Sequence, residues 1–379
     1  MRLVSLPGKT IGKNFPLNHV NTSSANPNRR QWLHTAVALS ASAAAGCGRR
    51  GISNGGSREL KVFNWSDYIH DDVIAEFERL TSCRVVYDNY SSDAELETRL
   101  ATGGGAYDVV FPSDRAMAAL LAKNLLREID VASLANVRHL DAKFLKPPFD
   151  PLNRFSVPYF WGTVAVGIRT DRVTGPVSGF EVLFDRAYRG RITMLDDMEN
   201  VVAAVLAHLG LPINSVAAAD LARVKHLLVA QRPLVQAYTS DAYKERLISG
   251  DAWASLGWSG DLLQAADEAA NSGNEVRVVV PASGTMIWLD SMAIPRAAGE
   301  VELAREFIDY LLEPEVAAKN AEHVRYATPN RAALALLPDE MRRDERVYPS
   351  PATLDRCAWL HDRGAEIEKI EAIWREVRQ

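Results

Sequence analysis

Short apolar runs alternate with amphipathic segments along most of the chain, and this alternation predicts strands followed by helices. A continuous apolar run bounded by Gly, Pro or polar turn residues is typical of a covered strand. Apolar residues three and four positions apart are typical of an amphipathic helix. The predicted strands are residues 60–65, 84–90, 107–113, 156–171, 191–196, 252–258, 276–281 and 284–295. The predicted helices are residues 73–80, 92–100, 116–126, 217–229, 241–249 and 300–312, with two more beginning near Asn200 and Asp261.

Strand alternating with helix predicts the α/β class, with a parallel sheet covered by helices on both faces. The pattern starts again near residue 156, and 379 residues are enough for two domains. We therefore expect two α/β lobes, with the chain crossing between them more than once. The predicted boundaries are 59–165 with 291–335 for the first lobe, and 166–290 with 336–379 for the second.

Residues 1–47 have the features of an export signal. A twin arginine, Arg29 and Arg30, precedes an apolar stretch of about 14 residues that is too short to span a bilayer. Small residues follow, as before a cleavage point. The twin arginine resembles the address of the twin-arginine export route, although Trp32 and His34 stand where that motif more often has Phe and Lys.

Ala44-Ala45-Gly46-Cys47 resembles a bacterial lipobox, in which the cysteine is lipidated and becomes the first residue of the mature protein. The alternative is an alanine-rich linker with an incidental cysteine. Residues 48–58 are rich in Gly and Ser and predict a flexible tether. We therefore expect a soluble body outside the cytoplasm, anchored to the membrane through Cys47. Cys83 and Cys357 remain, either as a disulfide or as two buried thiols.

Composition indicates a globular protein, with 47% hydrophobic and 24% charged residues. The first 46 residues hold five basic residues and no acidic ones, so the remainder has a net charge of −10. An acidic body argues weakly against nucleic acid as a partner and weakly for a cationic ligand.

One carboxylate stands out because it interrupts an apolar strand. Asp290 lies in the middle of the apolar run 284–295, and burying an ionised carboxylate without a partner is costly. Side chains alternate along a strand, so Trp288, Asp290 and Met292 share one face. We expect Asp290 to face a cation, either an Arg of the chain or a ligand.

Aromatic residues and carboxylates recur together at the predicted strand ends, where open α/β sheets bind their ligands. Such groups are Trp65, Asp67 and Tyr68; Asp196, Asp197 and Glu199; Trp258 and Asp261; and Trp288 and Asp290. Several of these residues also suit a role in the fold alone. Asp67 and Asp261 have the position of helix N-caps, Asp197 that of a solvated turn residue, and Trp65 and Trp258 are also typical of a core.

A linear organic polycation suits this combination. Its ammonium groups require carboxylates once they leave water, and aromatic rings attract cations by about 0.5–2 kcal/mol per contact. A charged hydrogen bond contributes about 1.5–3 kcal/mol, whereas association costs on the order of 4–15 kcal/mol. Several contacts are therefore needed, and a cleft that closes from both sides supplies them.

Six stretches resemble bacterial spermidine/putrescine-binding proteins, the periplasmic receptors of polyamine ABC transporters. They are "FNWSDYI", "YDVVFPS", "VPYFWGTVAVG", "LGWSGD", "IWLDSMAIP" and "RYATPN", in the order and approximate spacing of that family, from about residue 60 onward. The resemblance implies a two-lobed periplasmic-binding-protein fold, with two doubly wound α/β domains joined by a multi-strand hinge. It also implies no catalysis, no cofactor or metal, a monomer, and delivery of a polyamine to a permease.

The resemblance also implies a ligand site by position. The matching residues are Trp65, Ser66, Asp67, Tyr68, Ser113, Asp197, Trp258, Asp261, Trp288, Asp290 and Tyr326. Three positions depart from the family. Asn200 stands where a ligand-binding Glu is usual, Leu360 replaces a Gln, and Arg115 replaces a Tyr or a small residue. An arginine beside a cation site turns outward, neutralises an Asp, or marks a ligand with an acidic or neutral end, so the identity of the polyamine stays open.

Two other classes of function remain as alternatives. One is a receptor for another small amine or an amino-acid-like solute bound through Arg115, or a binding protein that senses rather than transports. The other is a carboxylate-dependent hydrolase such as a glycosidase. The sequence contains no Gly-x-Ser-x-Gly elbow, His-Glu-x-x-His motif or phosphate loop, and its eight His lack metal-ligand spacing. We therefore expect a binding protein and not an enzyme.

Overall fold

The structure is a computed structural model that describes residues 58–103, 106–361 and 363–379. The export signal, Cys47 and nearly all of the predicted tether lie outside these residues. Contacts group the described residues in one compact unit, so the boundaries of the two lobes stay a prediction.

Within the described residues, ten strands form two sheets. They are β1 Glu59–Trp65, β2 Arg84–Tyr90, β3 Val109–Val110, β4 Val157–Arg169, β5 Ile192–Met194, β6 Val235–Tyr238, β7 Ala254–Trp258, β8 Val276–Val279, β9 Met286–Met292 and β10 Ala358–Trp359. The sequence predicted most of these strands, but β6 and the two-residue β10 were missed. The predicted strand 107–113 is shorter than expected, because β3 pairs with β1 over two residues only.

In the part of the chain that the structure describes, thirteen α-helices surround the sheets. They are α1 Asp71–Thr81, α2 Asp93–Ala101, α3 Asp114–Ala122, α4 Met198–His208, α5 Ala218–Gln231, α6 Tyr243–Ser249, α7 Ser259–Asn271, α8 Val301–Leu311, α9 Pro314–Val324, α10 Arg331–Leu336, α11 Asp339–Arg343, α12 Pro351–Leu354 and α13 Ile367–Val377. The five from α9 onward were not predicted. No helix in the described ranges is both long and apolar enough to cross a membrane.

The smaller sheet is parallel, as expected, with the strand order β2-β1-β3. Its strands alternate with α1 and α2, so each connection carries the chain back to the start of the next strand. The apolar stripe of α1, with Val73 and Phe77 buried, packs against this sheet and against Phe307 of α8. The carboxyl ends of β1 and β3 therefore point to one edge.

The larger sheet is mixed, which corrects the expectation of a parallel sheet. Its order is β10-β9-β4-β7-β5-β6, with β8 also paired to β4. The long strand β4 runs antiparallel to β7, β8 and β9. All thirteen residues of β4 are buried, because it is central and covered on both faces. Single bridges from Val110 to Ala293 and from Ser113 to Asp290 connect β9 with the chain around β3.

The start of the predicted helix 92–100 and the state of the two cysteines can be compared directly. Ser92 caps α2, since its side chain accepts the amide of Glu95, while the Glu95 carboxylate accepts the amide of Ser91. Cys83 and Cys357 are both free thiols, so the expected disulfide is not formed, and of the two only Cys83 is buried while Cys357 is half-buried.

Candidate functional site

A cavity of about 720 Å³ opens where the carboxyl ends of β1, β5 and β7 and the middle of β9 converge. The first turns of α2, α3, α4 and α7 also point at it. Every ligand-site residue expected from the sequence, together with Arg115, Asn200 and Leu360, lines this cavity. Cys47, the expected lipidation residue, lies outside the described residues.

The wall of the cavity is strongly acidic. Among the described residues that line it, twelve are carboxylates and two, Arg115 and Lys244, are basic. Walls that carry one sign of charge around a low-dielectric space concentrate ions of the opposite sign. The wall thus favours a cationic ligand over an anionic one.

Asp290 projects from β9 with only 7% of its surface exposed. Its Oδ2 accepts a hydrogen bond of 2.7 Å from the phenol of Tyr68. Within the described part of the chain it forms no salt bridge, so an Arg partner, one of the two expected alternatives, is not observed. Burial, reinforced by the charges of Asp93 and Asp114, raises the pKa of Asp290 well above its usual value.

Asp93 and Asp114 belong to the same group of carboxylates, and the sequence analysis missed both. Burial raises the pKa of Asp93, and it raises the pKa of Asp114 to about 7. Oδ2 of Asp93 accepts a hydrogen bond of 2.6 Å from the Ser113 hydroxyl. Its Oδ1 is buried without a hydrogen-bond partner among the described atoms. Each of the two residues begins a helix that follows the end of a strand. This position, where open α/β sheets bind ligands, is the sequence feature that could have identified them.

Asp261 is held by two phenols. Tyr243 donates to its Oδ2 and Tyr326 to its Oδ1, each at 2.6 Å. The alternative of a helix N-cap is wrong, because α7 begins at Ser259 and the N-cap is Trp258. Tyr326 also lies 5.7 Å, between ring centroids, from Tyr68. Tyr326, which binds Asp261, and Tyr68, which binds Asp290, therefore lie next to each other between the two carboxylates.

Asp67 lies in the turn after β1 with a positive φ of 54°. It does not cap α1, because His70 does so by accepting the amide of Asp72. Instead, its Oδ2 pairs with Nζ of Lys244 at 3.0 Å. Lys244 lies in α6 and also donates to Gln264 at 3.2 Å. Burial alone would lower the pKa of Lys244, but the charges of Asp261 and Asp67 raise it.

Arg115 reaches across the cavity to α4. It binds Asp197 at 2.7 and 3.3 Å and Glu199 at 2.8 Å. Of the alternatives expected for this arginine, the structure therefore shows neutralisation of an Asp. Arg363 binds the other oxygen of Glu199 at 2.7 Å. Although burial alone would raise it, the pKa of Asp197 is lowered by Arg115.

Asp197 is not a solvated turn residue, which was the alternative expected for it. It is the N-cap of α4, where it accepts the amides of Glu199 and Asn200. The side-chain amide of Asn200 donates a hydrogen bond of 2.9 Å to the same carboxylate. Both oxygens of the Asp197 carboxylate therefore accept hydrogen bonds from the protein itself.

Aromatic rings form the rest of the wall. Trp288 stands edge-on to Tyr326 with centroids 4.8 Å apart, and Trp65 donates its indole N–H to the carbonyl of Phe111 at 2.9 Å. Trp65 and Trp258 are half-buried and line the cavity, so they are more than core residues. Gly260 allows this packing, since a Cβ there would lie 2.5 Å from the Tyr326 ring.

The arrangement suits binding. Buried carboxylates hold ammonium groups, and ring faces and edges pack against methylene groups. Across the described ranges, no group of three or more His, Cys, Asp or Glu is placed to hold a metal ion.

Comparison with known proteins places these features in context. The sequence model of the bacterial extracellular solute-binding protein family matches residues 72–348. The chain is 32% identical to the putrescine-binding periplasmic protein PotF of Escherichia coli K12 over 338 residues, 85% of this chain and 91% of that protein. It is also 32% identical to the spermidine/putrescine-binding periplasmic protein of the same organism over 321 residues, 84% and 91% of the two chains.

Solved structures show the same similarity. A putative spermidine/putrescine ABC transporter protein from Listeria monocytogenes superposes with a TM-score of 0.78 at 32% identity, covering 85% of this chain and 99% of that chain. The spermidine/putrescine substrate-binding protein PotD from Streptococcus pneumoniae gives 0.74 at 28% identity, covering 85% and 99%. The α/β fold is the one shared by two-lobed solute-binding proteins of ABC transporters.

Proposed function

Because the chain belongs to the family of bacterial extracellular solute-binding proteins, we propose that it is the extracytoplasmic receptor of a polyamine ABC transporter. It captures a polyamine of the putrescine/spermidine class in the cavity and delivers it to the permease. Periplasmic relatives that cover most of the chain, named for binding putrescine and spermidine, support this assignment.

A single observation carries the proposal. Asp93, Asp114 and Asp290 line the same cavity, Asp290 buried and the other two half-buried, and loss of contact with water raises the pKa of each. Carboxylates placed in this way without a cation are costly, and the arrangement is stable only if they hold protons or a cationic ligand. A ligand with two ammonium groups replaces the protons and recovers the missing ion pairs.

The contacts support specific roles for the other residues. Trp65, Trp258, Trp288 and Tyr326 provide the aromatic surface for the methylene chain. Tyr68 orients Asp290 through its 2.7 Å hydrogen bond, and Tyr243 with Tyr326 orients Asp261. Ser66 and Ser113 supply polar contacts, and Asp67, Asp197, Arg115 and Asn200 define the two ends of the site.

Other functions are less well supported. An amino-acid-like ligand would need the guanidinium of Arg115, which is already committed to Asp197 and Glu199. The relatives are transport binding proteins, which argues against the hydrolase alternative.

Isothermal titration calorimetry tests the proposal directly. The purified protein is titrated with putrescine, spermidine, cadaverine and agmatine, and with γ-aminobutyrate as a control of similar length that carries one carboxylate. We expect one-to-one binding of at least one amine and none of the control. Binding of γ-aminobutyrate together with silence towards all four amines would overturn the proposal in favour of the amino-acid alternative.

We also propose export through the signal in residues 1–47, with a twin-arginine address, and attachment to the membrane by lipidation of Cys47. The paired arginines, the short apolar stretch and the small residues before Cys47 support both steps. Cells labelled with a radioactive fatty acid should incorporate the label into the wild-type protein and not into Cys47→Ala. Equal labelling of the two would contradict the anchor.

A further inference from the structure

The carboxylates of the cavity fall into two groups, according to whether the chain itself supplies a cation. Five form ion pairs within the protein: Asp67 with Lys244, Glu97 with Lys123, Asp196 with Arg378, Asp197 with Arg115, and Glu199 with Arg115 and Arg363. The remaining seven have no ion pair in the described part of the chain: Asp93, Asp114, Asp241, Glu245, Asp261, Asp290 and Glu371. We call Asp93, Asp114, Asp261 and Asp290 the central carboxylates. Arg115 and Lys244 thus neutralise Asp197, Glu199 and Asp67, whereas the central carboxylates have no paired cation.

Arg115 closes one end. Its guanidinium makes a two-pronged contact with Asp197 and a third bond to Glu199, and 23% of its side chain is exposed. Arginine remains charged at all relevant pH values and holds carboxylates in a fixed geometry. With Arg363 on the other side of Glu199, two arginines balance two carboxylates. A ligand ammonium at this end therefore finds Asp197 and Glu199 already paired.

Lys244 closes the other end in a similar way. Its side chain is 14% exposed, and its Nζ lies between Asp67 Oδ2 at 3.0 Å and Gln264 Oε1 at 3.2 Å. A lysine side chain is a butyl chain ending in an ammonium group, the same chemistry as one end of a polyamine. Lys244 therefore occupies the place that a ligand ammonium would take at Asp67.

We propose that Arg115 and Lys244 are built-in cations that determine specificity by filling the two ends of the site, and that they restrict the ligand to a short diamine. This inference rests on the function proposed above. A third ammonium group would lie against the guanidinium of Arg115 or the ammonium of Lys244, where like charges repel. It would also find Asp197, Glu199 and Asp67 already bound. The central carboxylates are the ones left for two ammonium groups.

The test compares putrescine with spermidine by calorimetry in the wild type, Arg115→Met and Lys244→Met. Methionine keeps a linear stem and removes the charge. We expect the wild type to bind putrescine more tightly, and each Met variant to shift the ratio of the two dissociation constants towards spermidine by about tenfold or more, the effect of one charged hydrogen bond. Adding Asp197→Asn to Arg115→Met should abolish the gain, because asparagine still caps α4 but carries no charge.

Matched controls separate charge from general damage. Arg115→Lys keeps a cation and should stay closer to the wild-type ratio than Arg115→Met does. Arg79→Met and Lys319→Met remove exposed cations that pair with Glu76 and Asp72 outside the cavity, and should leave the ratio unchanged. If Arg115→Met does not fold, Lys244→Met and the wild-type preference still decide the question.

The outcomes are distinguishable from those of the proposed function. A wild type that binds neither amine overturns the function itself. A wild type that binds both equally well, or Met variants with an unaltered ratio, overturns the built-in cations while the receptor role stands. An Arg115→Lys variant that behaves like Arg115→Met shows that charge is not the cause, and it overturns the inference as well.

Discussion

At the scale of single residues, the placement of Asp290 explains why a carboxylate occurs inside an apolar strand. The other residues of β9 are apolar except Ser291 and buried except the half-buried Trp288, and one phenol is the hydrogen-bond partner of Asp290 in the described structure. A buried carboxylate with one neutral partner lowers stability unless the free state keeps it protonated. We therefore expect Asp290 to contribute to binding at the expense of the stability of the unliganded protein.

The substitution Asp290→Asn tests this conclusion. Losing one charged contact should weaken amine binding by about 10- to 150-fold, the equivalent of about 1.5–3 kcal/mol. The melting temperature of the unliganded protein should stay the same or rise, because the amide still accepts from Tyr68 without a buried charge. Calorimetry and thermal unfolding measure the two effects. Asp72→Asn, at an exposed residue outside the site, is the control, and a fall in stability without loss of binding would assign Asp290 a structural role.

The central carboxylates also predict how binding depends on pH. Alkylammonium groups stay charged up to about pH 10, so the carboxylates control the change. Asp114 has a pKa of about 7, and Asp93 and Asp290 beside it have raised pKa values. The guanidinium of Arg115 is the cation that faces them, and it does not titrate. Affinity should therefore increase as pH rises from 5.5 to 8.

Stability of the unliganded protein should change in the opposite direction. A raised carboxyl pKa stabilises the folded state below the unfolded value near 4, and this contribution is lost as pH rises through the folded pKa. Calorimetry in buffers of different ionisation enthalpy should show proton release on binding near pH 6.5. Binding without proton release and with equal affinity at pH 5.5 and 8 would show that these carboxylates are ionised in the free protein.

At the scale of elements, helix starts bring the functional groups to the cavity. The first turn of α3 carries Asp114 and Arg115, that of α4 carries Glu199, and that of α7 carries Asp261. Helix α7 must approach the segment after α9 closely for Tyr326 to reach Asp261, and a glycine at position 260 makes this possible.

Gly260→Ala should disturb this contact. The added Cβ would lie 2.5 Å from the Tyr326 ring, so the ring or the helix has to move. Overpacking of this kind costs about 1–3 kcal/mol, and the displaced phenol should also weaken ligand binding. Urea unfolding and calorimetry measure the two effects. Gly299→Ala is the control, since a Cβ there meets Asp108 Oδ1 only at 4.0 Å, and equal stability of both variants would contradict the close packing.

At the scale of the whole molecule, the ion pairs of Arg115 and Lys244 connect elements of the smaller sheet with elements of the larger one. Arg115 follows β3 and reaches α4, and Asp67 follows β1 and meets α6. A ligand between these elements adds further connections that exist only in the folded state, and ligand binding and global stability are therefore coupled.

This coupling predicts a thermal shift. A ligand at one hundred times its dissociation constant should stabilise the protein by about 2.7 kcal/mol, which raises the melting temperature by a few degrees. Scanning calorimetry with increasing putrescine measures the shift, with γ-aminobutyrate as the control. A shift of equal size with both compounds would point to a general solute effect rather than to binding in the cavity.

The amino-acid sequence alone determined the class of the fold and predicted many of the residues that line the cavity. Apolar runs predicted β1, β2, β4 and β9, because the spacing of apolar residues along the chain shows which residues of a strand are buried. The carboxylate inside the apolar run and the aromatics at strand ends identified Asp290, Trp65 and Trp258. These signals are local in the chain, and resemblance to a known family extended them to Ser113 and Tyr326.

Only the tertiary structure decided which charges are already paired. The direction of β4 against its neighbours and the contacts of Arg115 with Asp197 and of Lys244 with Asp67 join residues 82 and 177 positions apart. The tertiary structure also showed that Asp93 and Asp114 line the same cavity as Asp290. Long-range pairing depends on how elements pack in space, and that is the information a linear pattern of apolar and polar residues does not contain.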